Sequence, residues 1–251
     1  MSKIISIHSF RGGTGKSNTS ANLSTMLAME GKRVAVVDTD ISSPGIHVLL
    51  GLHEGNIKNT LNDYLYGKCE ISDAAYDVTA NVSPDIKGKI FLIPSSMKTG
   101  EITRVLKEGY DVGLLNEGFH KLIEDLNLDA LVIDTHPGVN EETLLSIALC
   151  DVLVIVMRPD TQDFQGTAVT VEVARKLDVP KLVLIVNKTP TAFNFDDVKQ
   201  RVETTYNCQV AAVLPHSDEL MMLASDGVFV AKYPNHQITQ KMRQAAQLLM
   251  S

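Results

Sequence analysis

The chain has 251 residues, the length of one large α/β domain, and no Pro-, Gly- or Ser-rich linker divides it. With 44% hydrophobic and 21% charged residues, it can bury a core, and this composition excludes a disordered chain. A formal net charge of −7 argues against a strongly basic nucleic-acid-binding surface, and no apolar run approaches the ~18 residues of a membrane span.

The first elements predict a phosphate-binding loop. An apolar, β-rich run at Ile4–His8 is followed by the Gly-rich string Phe10–Ser17, with a helix expected to begin near Ser17. A strand, a Gly-rich turn and a helix N-terminus in this order aim backbone N–H groups at one anion. Lys16 adds a positive charge, and the Ser17 hydroxyl is placed to reach Mg²⁺. The strict pattern G-x-x-x-x-G-K-[ST] fails, because Phe10 occupies the place of its first Gly.

Two later strands are predicted to end in acids at the edge of the sheet that carries this loop. The run Val34–Val37 leads into Asp38 and Asp40, and Leu131–Ile133 leads into Asp134. Carboxyl ends of parallel strands meet at one edge, where ligands bind. We therefore expect the three carboxylates near Mg²⁺ or its waters, although a solvated strand end would carry acids as well.

The remaining pattern alternates strands with helices. Further strands are predicted at Ile90–Ile93, Val152–Met157, Leu182–Val186 and Val210–Leu214. Helices are predicted at Ser20–Glu30, Asp111–Leu126, Glu141–Leu149, Gln165–Leu177, Asp196–Tyr206, Ser217–Ser225 and Gln237–Met250. Continuously apolar strands between helices are typical of a sheet covered on both faces. The pattern predicts a doubly wound, mostly parallel α/β sheet with helices on both faces, in a single domain over residues 1–251.

Two late strand ends are candidates for recognition of a nucleotide base. The first is Asn187-Lys188, where the amide can pair with adenine while the Lys stem packs on the ring. The second is the run Pro215, His216 and Ser217 at the end of the last predicted strand. Each is also an ordinary loop composition. A base contact and a plain turn both stay open.

The ordered motifs resemble the MinD/ParA family of P-loop ATPases over essentially the whole chain. Phe10–Ser17 resembles the family's deviant loop x-K-G-G-x-G-K-[ST], with Arg11 in the place of the signature Lys. Asp38-Thr39-Asp40 looks like its D-x-D switch, and the continuation at 41–51 resembles the MinD-like branch. The string Asp134 to Gly138 is similar to its D-x-P-x-G motif, with altered spacing: Pro137 and Gly138 are adjacent, and His136 stands where the family more often has a small residue or Pro.

The resemblance implies roles for individual residues. It implies Asp40, Lys16 and Arg11 as catalytic residues, with Asp40 orienting the attacking water and Arg11 reaching the partner's phosphates. It implies a magnesium site at Ser17, Asp38 and Asp134. It implies ATP binding by Arg11, Gly12, Gly13, Thr14, Gly15, Lys16, Ser17, Asn18, Asn187, Lys188, Pro215, His216 and Ser217.

The same resemblance implies a function. The chain would be a slow ATPase that uses ATP and Mg²⁺, forms a homodimer with ATP sandwiched between the subunits, and is stimulated by a protein partner. Such switches position or partition a cargo: a division site, a chromosome or plasmid, or a protein organelle. The ATP state could bind DNA or a membrane surface, but the sequence indicates neither. Because the sequence shows no signal peptide, we expect a cytoplasmic protein.

Two other classes remain as alternatives. One is an ATP-dependent metabolic ligase on the same fold, and the other is a nucleotide-binding scaffold that does not hydrolyse ATP, which the missing signature Lys favours. Iron–sulfur carriers of this superfamily need cluster-ligating cysteines. Cys69, Cys150 and Cys208 are far apart and contain no C-x-x-C pair, so they predict no such cluster.

Overall fold

Eight strands form one sheet in the structure, a computed structural model that describes residues 2–251 except for the side chains of residues 141 and 142. The strands are β1 Lys3–His8, β2 Arg33–Asp38, β3 Tyr76–Asp77, β4 Lys89–Ile93, β5 Ala130–Asp134, β6 Val152–Met157, β7 Lys181–Thr189 and β8 Gln209–Pro215. Their order across the sheet is β3-β4-β2-β5-β1-β6-β7-β8.

Parallel pairing joins every neighbouring pair except β3 and β4, which pair antiparallel at one edge. The strands β2, β5, β1 and β6 are buried at nearly every position, as their continuously apolar sequences require. This arrangement confirms the predicted α/β fold class. The central position of β1 places the loop that follows it between the ends of β5 and β6.

Twelve α-helices, besides two short 3-10 helices, connect or cover the strands within the described residues. They are α1 Lys16–Met29, α2 Ile46–Leu49, α3 Leu61–Leu65, α4 Thr79–Val82, α5 Thr99–Glu108, α6 Val112–Asp125, α7 Glu141–Ala148, α8 Thr161–Lys176, α9 Phe195–Tyr206, α10 Asp218–Leu223, α11 Phe229–Lys232 and α12 Gln237–Met250. Several start at a side-chain cap that satisfies first-turn N–H groups, as at Asp111, Asp160 and Asn194.

The helices divide between the two faces of the sheet. Buried residues of α1, α2, α11 and α12 pack with alternate strand residues such as Ile5 and Ile7 on one face. Buried residues of α3, α6, α8 and α9 pack with the intervening strand residues, including Ile4, on the other. Because successive strand side chains point to opposite faces of the sheet, each face has its own hydrophobic core.

Some predicted boundaries were wrong. The first helix begins at Lys16, close to the start expected near Ser17 and ahead of the helical pattern at Ser20. The helix predicted from Gln165 begins earlier, at Thr161, directly after the cap Asp160. The helix α5 and the short strand β3 were not predicted. Of the α5 side chains only Val105 is buried, so the helix leaves a weak core pattern. None of the helices in residues 2–251 is long and apolar enough to span a bilayer.

Candidate functional site

The phosphate loop, Phe10–Ser17, links β1 to α1 at the carboxyl edge of the sheet. Gly13 and Gly15 have φ angles of +78° and +93°, in the left-handed region that favours glycine. Gly15 immediately precedes α1, and no side chain caps that helix. The backbone N–H groups of the first turn therefore form an anion site of the kind that binds phosphate.

A cleft of about 330 Å³ opens over this loop. Its walls are Ser9, residues 12–18, Asp40, Ser43, His136 and Pro137. A larger groove of about 660 Å³ lies beside α2 and α11, but no phosphate-loop residue lines it. The smaller cleft is the candidate site, because it joins the anion-binding loop to Asp40 after β2 and to the segment after β5.

Lys16 connects the loop to those acids. Its side chain is buried, and its Nζ lies 2.9 Å from Asp134 Oδ1 and 3.9 Å from Asp40 Oδ2. Ser20 donates a second hydrogen bond to the same Asp134 oxygen, at 2.7 Å. The Ser17 hydroxyl lies 3.4 Å from the Lys16 ammonium. The structure thus brings together the predicted residues Lys16, Ser17, Asp40 and Asp134.

The third acid, Asp38, is completely buried beside Asp134. The two residues are register partners in the β2–β5 pair. Burial, and after it the neighbouring charge of Asp134, raises the pKa of Asp38 well above its ordinary value. Burial also raises the pKa of Asp40, against the opposing charge of Lys16. The carboxylates therefore lie where added positive charge would stabilise them.

The predicted magnesium residues fit that ion by their chemistry. Ser17, Asp38 and Asp134 offer a hydroxyl and two carboxylates, and Mg²⁺ is bound by oxygen. Within the described residues, no group of three or more His, Cys, Asp or Glu could hold a metal ion by itself. A set of two carboxylates suits Mg²⁺, which keeps several waters and takes further oxygens from a bound phosphate.

The segment after Asp134 contributes His136 and Pro137 to the cleft lining, close to Asp40. His136 Nδ1 lies 2.7 Å from the carbonyl oxygen of Pro137, and His136 Nε2 lies 3.9 Å from Asp40 Oδ1. Gly138, with φ of +88°, donates its N–H to the Ser9 carbonyl at 3.0 Å. This hydrogen bond joins the segment to the residue that follows β1.

Arg11 does not line the cleft. Its guanidinium pairs with Asp160 at 2.8 Å and Asp163 at 2.7 Å, and it also bonds Gln162. Arg158 approaches the same two acids, at 3.3 and 3.5 Å. Burial raises the pKa of Asp163, the charge of Asp160 adds to that effect, and Arg11 opposes it. Arg11 is therefore held at the N-terminus of α8 by two carboxylates, one of which is buried.

Phe10 attaches the same loop to the same helix. A Cβ built on Gly166 of α8 would lie 2.0 Å from Phe10 Cδ1, so the ring occupies the space that a side chain would fill. Gly166 thereby permits close contact between α8 and the residue that replaces the first loop Gly. The phosphate loop is joined to α8 at two successive positions, Phe10 and Arg11.

The base-recognition candidates separate into two groups. Asn187 Nδ2 donates to the Thr14 carbonyl and Lys188 Nζ to the Gly13 carbonyl, both at 2.8 Å. These side chains support the phosphate loop, a contact that the sequence analysis did not include. Pro215, His216 and Ser217 are outside the cleft lining drawn from the described residues. Ser217 instead caps α10 through the Leu220 N–H.

Sequence reasoning missed Ser20, Asp160, Asp163 and the buried His8. The His8 Nδ1 lies 2.9 Å from the Thr135 hydroxyl, directly beneath the loop. An acid three residues after another, as at Asp160 and Asp163, is a signal for a helix start that could have been used. The Ser20 contact had no signal, because it depends on where α1 passes β5.

Comparison with known proteins gives three findings. The AAA domain family matches residues 2–181. An uncharacterised ATP-binding protein of Methanocaldococcus jannaschii is 31% identical over 251 residues, covering 100% of this chain and 88% of that protein. The septum site-determining protein MinD of Bacillus subtilis is 26% identical over 260 residues, covering 100% of this chain and 90% of that protein.

A solved structure shares the fold. The septum site-determining protein MinD of Pyrococcus horikoshii, complexed with Mg-ADP, superposes with a TM-score of 0.82 at 23% identity. The match covers 99% of this chain and 96% of that one. At this identity the likeness establishes the fold alone.

Proposed function

Because this chain belongs to the AAA domain family, we propose that it is an ATPase that switches between a monomer and an ATP-bound homodimer. One observation carries the proposal: the phosphate loop, Lys16 and Asp40 line a single cleft, with Asp134 bound to Lys16 at its base. Relatives described as ATP-binding or as MinD support ATP as the nucleotide.

In this proposal the loop binds the phosphates of ATP. The N–H groups of residues 12–18 surround the anion, and the Lys16 ammonium moves from Asp134 to the phosphate oxygens. Asn187 and Lys188 donate hydrogen bonds to loop carbonyls and, beside the loop, also contact the base. On its other side the base is covered by Pro215, His216 and Ser217. Mg²⁺ held by Ser17, Asp38 and Asp134 would supply charge neutralisation at the β- and γ-phosphates.

Hydrolysis then depends on position and charge. Phosphoryl transfer needs little covalent chemistry from the protein, since most of the acceleration comes from alignment and electrostatic stabilisation. Asp40 orients the attacking water, and Lys16 stabilises the charge that develops on the transferred phosphoryl group. We expect slow turnover by one subunit, which a protein partner stimulates.

Dimerisation would use Arg11. A permanently charged planar guanidinium suits phosphate as well as carboxylate, so the same group can exchange Asp160 and Asp163 for the partner subunit's ATP. The exchange costs little at the exposed Asp160 contact, because surface ion pairs contribute about 1 kcal/mol or less. In the dimer the vacated acids remain paired with Arg158.

The switch would position or partition a cargo, a role that agrees with the name of its MinD relatives, septum site-determining proteins. Capture of protein from a cell extract on the ATP-locked form, compared with the ADP form, would identify the cargo or the activating partner.

The test is nucleotide binding and phosphate release by Lys16→Ala. Removing the cation that faces the phosphates should abolish ATP binding and hydrolysis, whereas Lys199→Ala on α9 should leave both unchanged. Wild-type protein that neither binds nor hydrolyses ATP, or a Lys16→Ala protein as active as wild type, would reject the proposal.

A non-hydrolysing scaffold is the second candidate, and the position of Arg11 outside the cleft favours it. That class predicts ATP binding without phosphate release. A ligase would instead release phosphate only when a small carboxylic acid is supplied together with ATP.

A further inference from the structure

The neighbour of His136 fixes which of its ring nitrogens carries hydrogen. Nδ1 lies 2.7 Å from the carbonyl oxygen of Pro137. A carbonyl oxygen only accepts hydrogen bonds, so Nδ1 is the donor, and in the neutral form of the imidazole the lone pair lies on Nε2. This lone pair belongs to a residue that lines the cleft over the phosphate loop.

Nε2 faces another acceptor. It lies 3.9 Å from Asp40 Oδ1, and Asp40 lines the same cleft. Two acceptors at this distance cannot bond each other directly, whereas one water can donate a hydrogen to each of them. With hydrogen bonds of about 2.8 Å, a water that donates to two groups places them roughly 4 to 4.5 Å apart. The observed separation is close to this range.

Such a water would be oriented as a nucleophile. Both of its hydrogens are occupied by Nε2 and Oδ1, so its lone pairs point away from the two side chains and into the cleft that residues 12–18 also line. A carboxylate alone accepts one hydrogen and leaves the water free to rotate about that bond. The second acceptor removes this freedom, which is the kind of orientation that accelerates hydrolysis.

We propose that His136 is a catalytic residue that, together with Asp40, holds the attacking water through Nε2. The inference rests on the proposed ATPase function and names a residue of that same site. The water oxygen bonds to the γ-phosphorus while the bond from this phosphorus to the β–γ bridging oxygen breaks, and the electron pair stays on ADP. ATP and water thereby give ADP, inorganic phosphate and one proton that is released to solvent.

The experiment is single-turnover ATP hydrolysis with three variants and separate measurement of ATP affinity. His136→Ala should lower the hydrolysis rate at least about tenfold, since misplaced reacting groups cost up to about a hundredfold, and should leave ATP affinity within about twofold of wild type. His136→Gln, which supplies an acceptor oxygen, should recover part of the rate. His53→Ala, an exposed histidine outside the cleft, is the control.

A double variant tests whether one water is shared. If His136 and Asp40 hold the same molecule, His136→Ala combined with Asp40→Asn should be no slower than the slower single variant. Multiplicative losses would overturn the inference, as would a wild-type rate for His136→Ala or a loss confined to ATP affinity. Wild-type protein that binds ATP but never hydrolyses it would instead reject the ATPase function, and the inference with it.

Discussion

At the scale of single residues, the candidate site places three carboxylates around one buried cation. Lys16 is the cation nearest to Asp134 and Asp40, while Asp38 is buried without an ion pair among the described residues. Burial raises the pKa values of Asp38 and Asp40. The arrangement is typical of a site completed by bound metal and phosphate.

His8 makes stability depend on pH. Burial, with the charge of Lys16, lowers its pKa from 6.5 to about 3. Below pH 6.5 the unfolded chain binds a proton at this residue that the folded chain does not bind, so stability is lost as pH falls from about 6.5 toward 3. We expect the free energy of unfolding to decrease by up to about 1.4 kcal/mol per pH unit from this group in that window.

The measurement is urea denaturation at a series of pH values with His8→Asn, which cannot be protonated, and the exposed His120→Asn as control. His8→Asn is expected to be less stable than wild type at pH 7.5 but to show a shallower decline below pH 6.5. Parallel curves for wild type and His8→Asn would show that His8 does not cause the pH dependence.

A substitution at Asp160 tests whether the ion pair with this residue keeps Arg11 away from the partner's nucleotide. Asp160→Asn removes a charge that pairs with Arg11 but keeps a good N-cap for α8, because Asn and Asp cap equally well. Arg11 should leave more easily, so half-maximal dimerisation should need less ATP analogue, by at most about fivefold for an exposed ion pair. Light scattering across an analogue titration measures this, with Glu172→Gln on the same helix as control. A requirement for more analogue would contradict the proposed exchange.

At the scale of elements, α8 is the helix that contacts Phe10 and Arg11 of the phosphate loop. It contacts Phe10 through Gly166 and Arg11 through Asp160 and Asp163. The sequence predicted the loop, its departure from the strict pattern and the helix. It could not predict the contact between Phe10 and α8. That contact arises because β6, the strand before α8 in the chain, pairs with β1 in the folded sheet.

Gly166→Ala should therefore change nucleotide binding from outside the cleft. The new Cβ would lie 2.0 Å from the Phe10 ring, and the ring would have to move, taking the loop with it. We expect weaker ATP binding, measured with a fluorescent analogue, even though Ala favours helix by about 0.5–1 kcal/mol over Gly. In a Phe10→Gly background the same change should have no effect, while Val169→Ala serves as the surface control. An equal effect in both backgrounds would exclude the ring contact as the cause.

The same scale explains which elements were predictable. Strands such as β6 are buried throughout, and their apolar runs marked them correctly. Sequence could place Asp38, Asp40 and Asp134 at strand ends but not assign their partners, since the Lys16–Asp134 pair depends on sheet order. It likewise suggested base contacts for Asn187 and Lys188, whereas their donors reach loop carbonyls. Those contacts depend on where the end of β7 lies relative to the loop after β1, and a local sequence pattern does not contain this information.

At the scale of the whole molecule, the sheet brings the ends of β1, β2 and β5 together and leaves Arg11 beside the neighbouring strand β6. The chain thus places the Gly-rich loop and Lys16 in the cleft, while the Arg11 guanidinium, suited to phosphate, is held outside the cleft by carboxylates. This division is what a switch completed by a second subunit would require. The mass of the protein in solution, measured with and without ATP, therefore decides whether a second subunit completes the site.

The most direct test is sedimentation velocity with Mg²⁺ and a non-hydrolysable ATP analogue. Wild type should double in mass at saturating analogue and remain monomeric with ADP, and Asp40→Ala should form the same dimer with ATP itself because it cannot hydrolyse it. Arg11→Ala should bind the analogue with near wild-type affinity yet stay largely monomeric, with Arg243→Ala, a half-buried residue of α12, as control. A wild-type protein that binds analogue and remains a monomer would contradict the switch.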